Sequence, residues 1–200
     1  MSRDDARTST NAMSDEFGRQ RYAVSRGVLK DPELSLLYQY ACCRAAKSTM
    51  TSDARSPGAS AAAGDVFMDG LLVDFLPLAE TITGMKLFPT YSYFRVYKRG
   101  DVLVRHTDRP SCEISLTLCL GYEAGGPWPL FLETPGGVSS IELGPGDALF
   151  YRGTECVHWR EPMSGERAAQ VFLHYVDQNG PYAEWKYDKR REIPFDRPHQ

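Results

Sequence analysis

The strongest constraint on this fold is the run of short, alternating segments between residues 88 and 176, each closed by glycine or proline. Glu113 to Leu120 shows it most cleanly: Ile114, Leu116, Leu118 and Leu120 fall on one face, and Glu113, Ser115, Thr117 and Cys119 on the other. That two-residue period is the mark of a strand with one apolar face. Tyr91 to Tyr97 is aromatic and β-branched, and Arg99-Gly100-Asp101 supplies the turn after it. Further strands are expected at 129–132, 138–143, 148–151 and 168–176, punctuated by Pro135-Gly136-Gly137 and Gly144-Pro145-Gly146-Asp147. Many short strands joined by such turns predict a sandwich or jelly-roll barrel.

The preceding half reads differently. Residues 1–15 are rich in Ser, Thr, Asp and Arg without an apolar period, and are expected to form a disordered extension, with Met13 a candidate natural start. Asp31-Pro32-Glu33 predicts a helix start with Asp31 as N-cap, followed by Leu34, Leu36, Leu37, Tyr40 and Ala41 at helical spacing. Thr51 to Gly64, made of small residues, is expected to be a mobile loop. A second helix is expected from Phe67 to Thr83, bent or broken at Pro77 and capped by Gly84. The expected organisation is thus one domain over 16–200: helical support (16–87), a β core (88–178) and a solvated, mixed-charge tail (179–200).

The chain's 200 residues suffice for one buried core. No apolar run is long enough to span a membrane, no secretory h-region is evident, and a net charge of −3 argues against a nucleic-acid groove. The five cysteines are odd in number and irregularly spaced, which points to reduced thiols and a cytoplasmic location. No phosphate loop or serine triad is present.

Against that background the chemistry-bearing residues are His106-Thr107-Asp108, then His158, then Arg167. His106 and Asp108, two apart, would share one side of a strand and chelate one metal; His158 would arrive from another strand. Two imidazoles and one carboxylate suit Fe(II) better than zinc and leave coordination positions open for a chelating co-substrate and O₂. Arg167 offers a bidentate grip on a carboxylate. The set fits 2-oxoglutarate, with its keto-acid end on iron and its distal carboxylate on Arg167.

With Tyr97, Gly100, His106-Thr107-Asp108, Gly146-Asp147-Ala148-Leu149-Phe150, and the spacing from His158 to Arg167, residues 91–175 resemble the core of Fe(II)/2-oxoglutarate-dependent oxygenases, in particular the prolyl-hydroxylase-like branch. The resemblance implies a mainly β fold with N-terminal helices and a double-stranded β-helix (cupin-like jelly roll) core. It implies His106, Asp108 and His158 as iron ligands and catalytic centre, with Arg167 and Tyr97 as co-substrate residues. It also implies a dioxygenase, most simply a hydroxylase, that releases succinate and CO₂. Relatives often carry a co-substrate-contacting Tyr where this chain has Cys119, so Thr117 is expected to take that polar contact. Asp108 favours hydroxylation, because related halogenases lack the carboxylate, and leaves desaturation and cyclisation open.

The substrate is the least constrained part. Arg95 shares a strand face with Tyr97, and Glu113, Arg109, Trp159 and Arg160 flank the core motifs as substrate candidates. Each has a structural alternative: an internal ion pair for Arg95, surface salt bridges for Arg109 and Arg160, and ordinary packing for Trp159 and Trp128. Polar candidates such as Arg95, Glu113 and Ser115 suggest a polar small molecule or an amino-acid or peptide side chain. His174 is expected to be structural and His199 solvated. Two rival readings are a cupin-like metal dioxygenase that does not use 2-oxoglutarate and a non-catalytic jelly-roll binding module. The oligomeric state is open.

Overall fold

The computed structural model describes residues 13–47 and 50–193. Expectations for residues 1–12 and for His199 lie outside these residues. Residues 13–20 form helix α1, so the expected extension ends earlier than residue 15. Helices α2 (Glu33–Ala46), α3 (Val66–Asp74) and α4 (Leu76–Thr83) follow among strands β1 (Tyr22–Ser25), β2 (Thr51–Asp53), β3 (Ser56–Ala63) and β4 (Leu87–Lys98). The remaining strands are β5 (Leu103–His106), β6 (Ile114–Glu123), β7 (Leu130–Thr134), β8 (Gly137–Ile141), β9 (Ala148–Arg152), β10 (His158–Arg160) and β11 (Arg167–Asp177).

The strands form two sheets, a major one ordered β1-β9-β6-β11-β4-β3-β2 and a minor one ordered β5-β10-β7-β8. This is the double-stranded β-helix: a jelly roll whose two sheets face each other. The even residues of β6 meet the helices, where Ile114, Leu116, Leu118 and Leu120 join Leu37, Met68, Leu72 and Ile82 in the main core. Burying that apolar face is the dominant favourable term for the support layer. The opposite face of the major sheet meets the minor sheet, where Cys119, Leu149 and Tyr151 pack with Leu103, Leu130 and Leu132.

Several local expectations are corrected. Pro32, not Asp31, occupies the N-cap of α2; the Asp31 carboxylate instead accepts the Ser35 amide at 3.2 Å. The expected helix over 67–83 is two helices, because Pro77 sits in the first turn of α4, where a missing N–H costs nothing. Asp65 caps α3 by accepting the Phe67 and Met68 amides. Gly84 ends α4 in the left-handed conformation, as expected. The segment from Thr51 to Gly64 is mainly a hairpin: β3 pairs with β4 and extends the major sheet. Its alanines and serines read as a loop by composition, yet small side chains fit a strand pressed flat against a neighbour. The described part of the C-terminal tail, 179–193, is docked rather than solvated: Arg190 donates to the buried Asp69 at 2.9 Å, and Arg109 forms a fork-like pair with Asp188 at 2.8 Å.

Candidate metal centre and co-substrate pocket

β5 and β10 are adjacent and antiparallel, with His106 directly opposite His158. Their rings lie 4.3 Å apart between centroids. β5 ends at His106, and Asp108 sits just beyond it, tied by its amide to the Gly153 carbonyl at 2.8 Å. One ligand atom from each of His106, Asp108 and His158 falls within 4.8 Å of the others. Asp108 Oδ1 is 3.5 Å from His106 Nε2 and 3.7 Å from His158 Nε2.

Each imidazole is oriented by its own backbone. His106 Nδ1 lies 2.7 Å from the Val104 carbonyl, and His158 Nδ1 lies 3.0 Å from the Cys156 carbonyl. A carbonyl only accepts, so Nδ1 carries the proton in both rings and each Nε2 presents a lone pair to the gap. Burial pulls His158 down to about 4, keeping it neutral and able to ligate at ordinary pH. Burial works to raise the Asp108 carboxyl, but the surrounding imidazoles of His106, His158 and His174 outweigh it and hold the group well below the usual carboxylate range.

Ser115 and His174 complete the setting. Ser115 Oγ donates to Asp108 Oδ2 at 2.9 Å, and His174 Nδ1 lies 3.0 Å from the same Oγ. With its proton committed to Asp108, Ser115 accepts from His174, so a relay fixes one carboxylate oxygen and leaves Oδ1 facing the imidazoles. Burial draws His174 down to about 4, consistent with a neutral donor. Sequence reasoning assigned His174 a purely structural place; it also lines the cavity, and its position on the inward parity of β11 is the signal that could have shown this. A second potential ligand set, Asp108, Cys112 and His174, shares the carboxylate. Burial pushes the Cys112 thiol up to about 12, which disfavours the thiolate a metal would need.

A cavity of about 340 Å³ opens over these residues. Its floor is His106, Asp108 and His158; Tyr91, Tyr93, Tyr151 and Phe172 contribute aromatic walls; Asp53, Arg55 and Arg95 supply charge. Arg95 is buried and paired with Asp53 at 2.7 Å, which satisfies both the cavity expectation and the internal-ion-pair alternative. Asp53 also accepts from the Tyr93 hydroxyl at 2.5 Å; against the upward pull of burial, these bonds bring its carboxyl down to about 2.

The expected carboxylate anchor is corrected. On β11 the residues that face the helices are Ala169, Val171, Leu173 and Tyr175, while Ala168 and Phe172 face inward. Arg167 shares the outer parity; its half-exposed guanidinium pairs with Glu123 at 3.3 Å and does not line the cavity. Arg160 lies on the inner face instead, buried behind the cavity lining rather than part of it. It follows His158 by two residues on β10, so both point inward while Trp159 points out and stacks on Phe131 at 5.4 Å. Arg160 is buried, lies over the Trp128 ring and donates to the Trp128 carbonyl, but its Nε has no partner and none of the described carboxylates pairs with it. Burial pulls the guanidinium down from its ordinary value. Its expected surface salt bridge is therefore absent among the described residues.

Around Arg160 the interior is polar and unfinished. Thr117 Oγ1 and Gln170 Oε1 are buried without hydrogen-bond partners, and the fully buried Tyr97 packs beside Trp128. Glu113 does not reach the cavity: its carboxylate accepts the Asp177 amide at 2.8 Å. Arg109 stacks on Tyr91, 4.6 Å from the ring centre, behind the cavity wall and held by Asp188. Trp159 is likewise outside. The five cysteines are all free.

Solved structures share this architecture. The epimerase SnoN in complex with Fe3+, alpha ketoglutarate and nogalamycin RO superposes with a TM-score of 0.72 at 14% identity, over 96% of this chain and 93% of that one. A Pseudomonas putida prolyl-4-hydroxylase gives 0.69 at 16% identity, over 84% and 98%. HygX from Streptomyces hygroscopicus, with nickel and 2-oxoglutarate bound, gives 0.68 at 11% identity, over 84% and 87%. The fold is that of the Fe(II)/2-oxoglutarate oxygenases. No protein-family model matches the sequence, and no curated protein matches it. At these identities the likeness to the oxygenases is one of fold, so the chemistry must be argued from this chain's own residues. No described helix is long and apolar enough to cross a membrane.

Proposed function

We propose that this chain is an Fe(II)- and 2-oxoglutarate-dependent dioxygenase that hydroxylates an unactivated C–H bond of a polar small molecule or an amino-acid or peptide side chain. The observation that carries the proposal is the convergence of His106, Asp108 and His158 within 4.8 Å, with both Nε2 atoms aimed into the gap. Two imidazoles and a carboxylate suit Fe(II) and leave sites for a chelating keto acid and O₂. When bound, the metal would let O₂ act as oxidant for both reactions, one oxygen atom going into succinate as 2-oxoglutarate loses CO₂ and the other into the hydroxylated C–H bond.

The protein's share is binding and orientation. Val104 and Cys156 carbonyls fix the two imidazoles, and Ser115 with His174 fixes Asp108. Arg160 replaces Arg167 as the anchor for the distal carboxylate of 2-oxoglutarate. A buried guanidinium with no carboxylate partner among the described residues is costly without an anion, and the orphaned Thr117 and Gln170 on the same inner face offer further polar atoms to a guest. Two residues of strand separate His158 from Arg160, about 6.6 Å, a spacing that a five-carbon diacid can span. Tyr97 is buried against the Trp128 ring over which Arg160 lies. Arg160 also weighs against a cupin-like dioxygenase that does not use the keto acid, since such an enzyme leaves this cation without a purpose.

The test is anaerobic titration of metal-free protein with Fe(II), then 2-oxoglutarate. The expected result is a visible charge-transfer band that needs both additions and is lost in His106→Ala. Bound iron in folded protein without that band would overturn the co-substrate assignment.

A further inference from the structure

We propose that the cavity takes a substrate bearing a single carboxylate, and that Arg55 binds it. The inference rests on the functional reading above and deepens it to a substrate class. Arg55 lies in the turn between β2 and β3, at the cavity wall. Its backbone is pinned: the amide donates to Asp53 Oδ1 at 2.8 Å and the carbonyl accepts the Val104 amide at 2.8 Å. Its side chain is 41% exposed, and its ion-pair partner among the described residues is Asp108 Oδ1 at 3.7 Å, beyond hydrogen-bond reach. That oxygen is the one turned toward the two imidazoles. Once a divalent metal claims it, Arg55 faces a cation and needs an anion of its own.

Charge balance points the same way. Asp53 answers Arg95, and the Arg109–Asp188 pair is neutral. The metal with Asp108, and Arg160, leave two positive charges, which the two carboxylates of 2-oxoglutarate cancel. One positive charge remains, and it is Arg55, the most exposed guanidinium on the wall. A planar guanidinium takes a carboxylate bidentately, which makes a carboxylate the fitting monoanion. A substrate held there lies beside the metal ligands and against Tyr91 and Tyr93, so its reactive carbon is an aliphatic one close to its acid group.

The experiment uses full-length protein loaded with Ni(II), which does not turn over, and saturating 2-oxoglutarate. Uptake of 2-oxoglutarate is first measured by calorimetry. Thermal shift and calorimetry then follow a panel of small carboxylic acids, each paired with its carboxamide, amino acids and their amides among them. The expected result is that acids bind and their amides do not. Affinity for the best acid should fall about tenfold or more in Arg55→Ala and recover in part in Arg55→Lys. A panel in which no acid binds, amides that bind as well as acids, or acid binding unchanged in Arg55→Ala overturns the proposal. So does loss of 2-oxoglutarate affinity in Arg55→Ala with acid binding intact, which would assign Arg55 to the co-substrate. Failure of the nickel-loaded wild type to take up 2-oxoglutarate strikes the underlying functional reading instead and takes this one with it.

Discussion

The two faces of the major sheet are made by the same strands and obey different rules. Toward the helices, Phe94, Leu116, Phe150, Val171 and Leu173 form a close-packed apolar layer. Toward the minor sheet, the alternate positions on those strands are Arg95, Ser115, Thr117, Tyr151, Gln170 and His174, and several of their polar atoms have no partner. Nearly all buried polar groups in folded proteins are satisfied, so the orphans of Arg95, Thr117 and Gln170, three on the inner face against Arg152 alone toward the helices, set that face apart. The lesson is that one face is closed by apolar packing, while the other keeps buried polar atoms unsatisfied at a cost in stability.

Substitutions can break that contrast. The largest effect is expected at the cavity floor: His106→Ala or Asp108→Ala should abolish succinate release while leaving the melting temperature of the metal-free protein close to wild type. On the helix side, Phe150→Ala should cost about 3–5 kcal/mol in denaturant unfolding, with activity per folded molecule retained. Gly153→Ala comes next, because a Cβ there would overlap Asp108 Oδ2 and the Cys112 carbonyl. It should weaken metal binding about 10- to 100-fold, read by metal titration of the purified protein.

Arg160→Met sharpens the comparison further. It should raise the dissociation constant for 2-oxoglutarate about tenfold or more, yet leave metal-free stability unchanged or improved, because it removes a buried charge without a counter-charge. Arg167→Met should leave the constant within about twofold, since it loses only an exposed ion pair. Equal effects of the two substitutions would erase the distinction between inner and outer parity on which the anchor assignment stands.

Acid should weaken the metal-free protein through its inner face. His158 and His174 are held down to about 4 when folded, against an ordinary value near 6.5. Between those values the unfolded chain binds protons that the folded one does not, so their contribution is complete above about pH 6.5 and is lost as pH falls toward 4. Melting temperatures recorded across that window should decline, and His174→Gln should flatten the decline. The smallest effect is expected in the support layer, where Asp65→Ala removes the cap of α3 and should cost about 1 kcal/mol by chemical denaturation.

Much of this was legible in the sequence because the strand period is two. The alternation from Ile114 to Leu120 announced both faces of β6, and His106, Asp108 and His158 stood out as a candidate set that the fold brings within 4.8 Å. The same rule, applied to β11 and β10, separates Arg167 on the outer face from Arg160 on the inner one. Other features were out of reach for physical reasons. β5 and β10 have only four and three residues, too short to show a period, and they exist because each is paired to a neighbour. The strand character of the segment from Ser56 to Ala63 comes from its partner β4, not from its alanines, so composition read it as a loop. The docking of Asp188 and Arg190 depends on Arg109 and Asp69, far away in the chain.

The hairpin of β2 and β3 carries one more implication. It forms the outer edge of the major sheet and joins it only through β4, yet its turn supplies a charged wall of the cavity. The floor, by contrast, is built from strands and turns locked on several sides. Wall and floor can therefore drift at different rates: descendants could trade this turn for another of different length or charge while the grouping of His106, Asp108 and His158 stays in place.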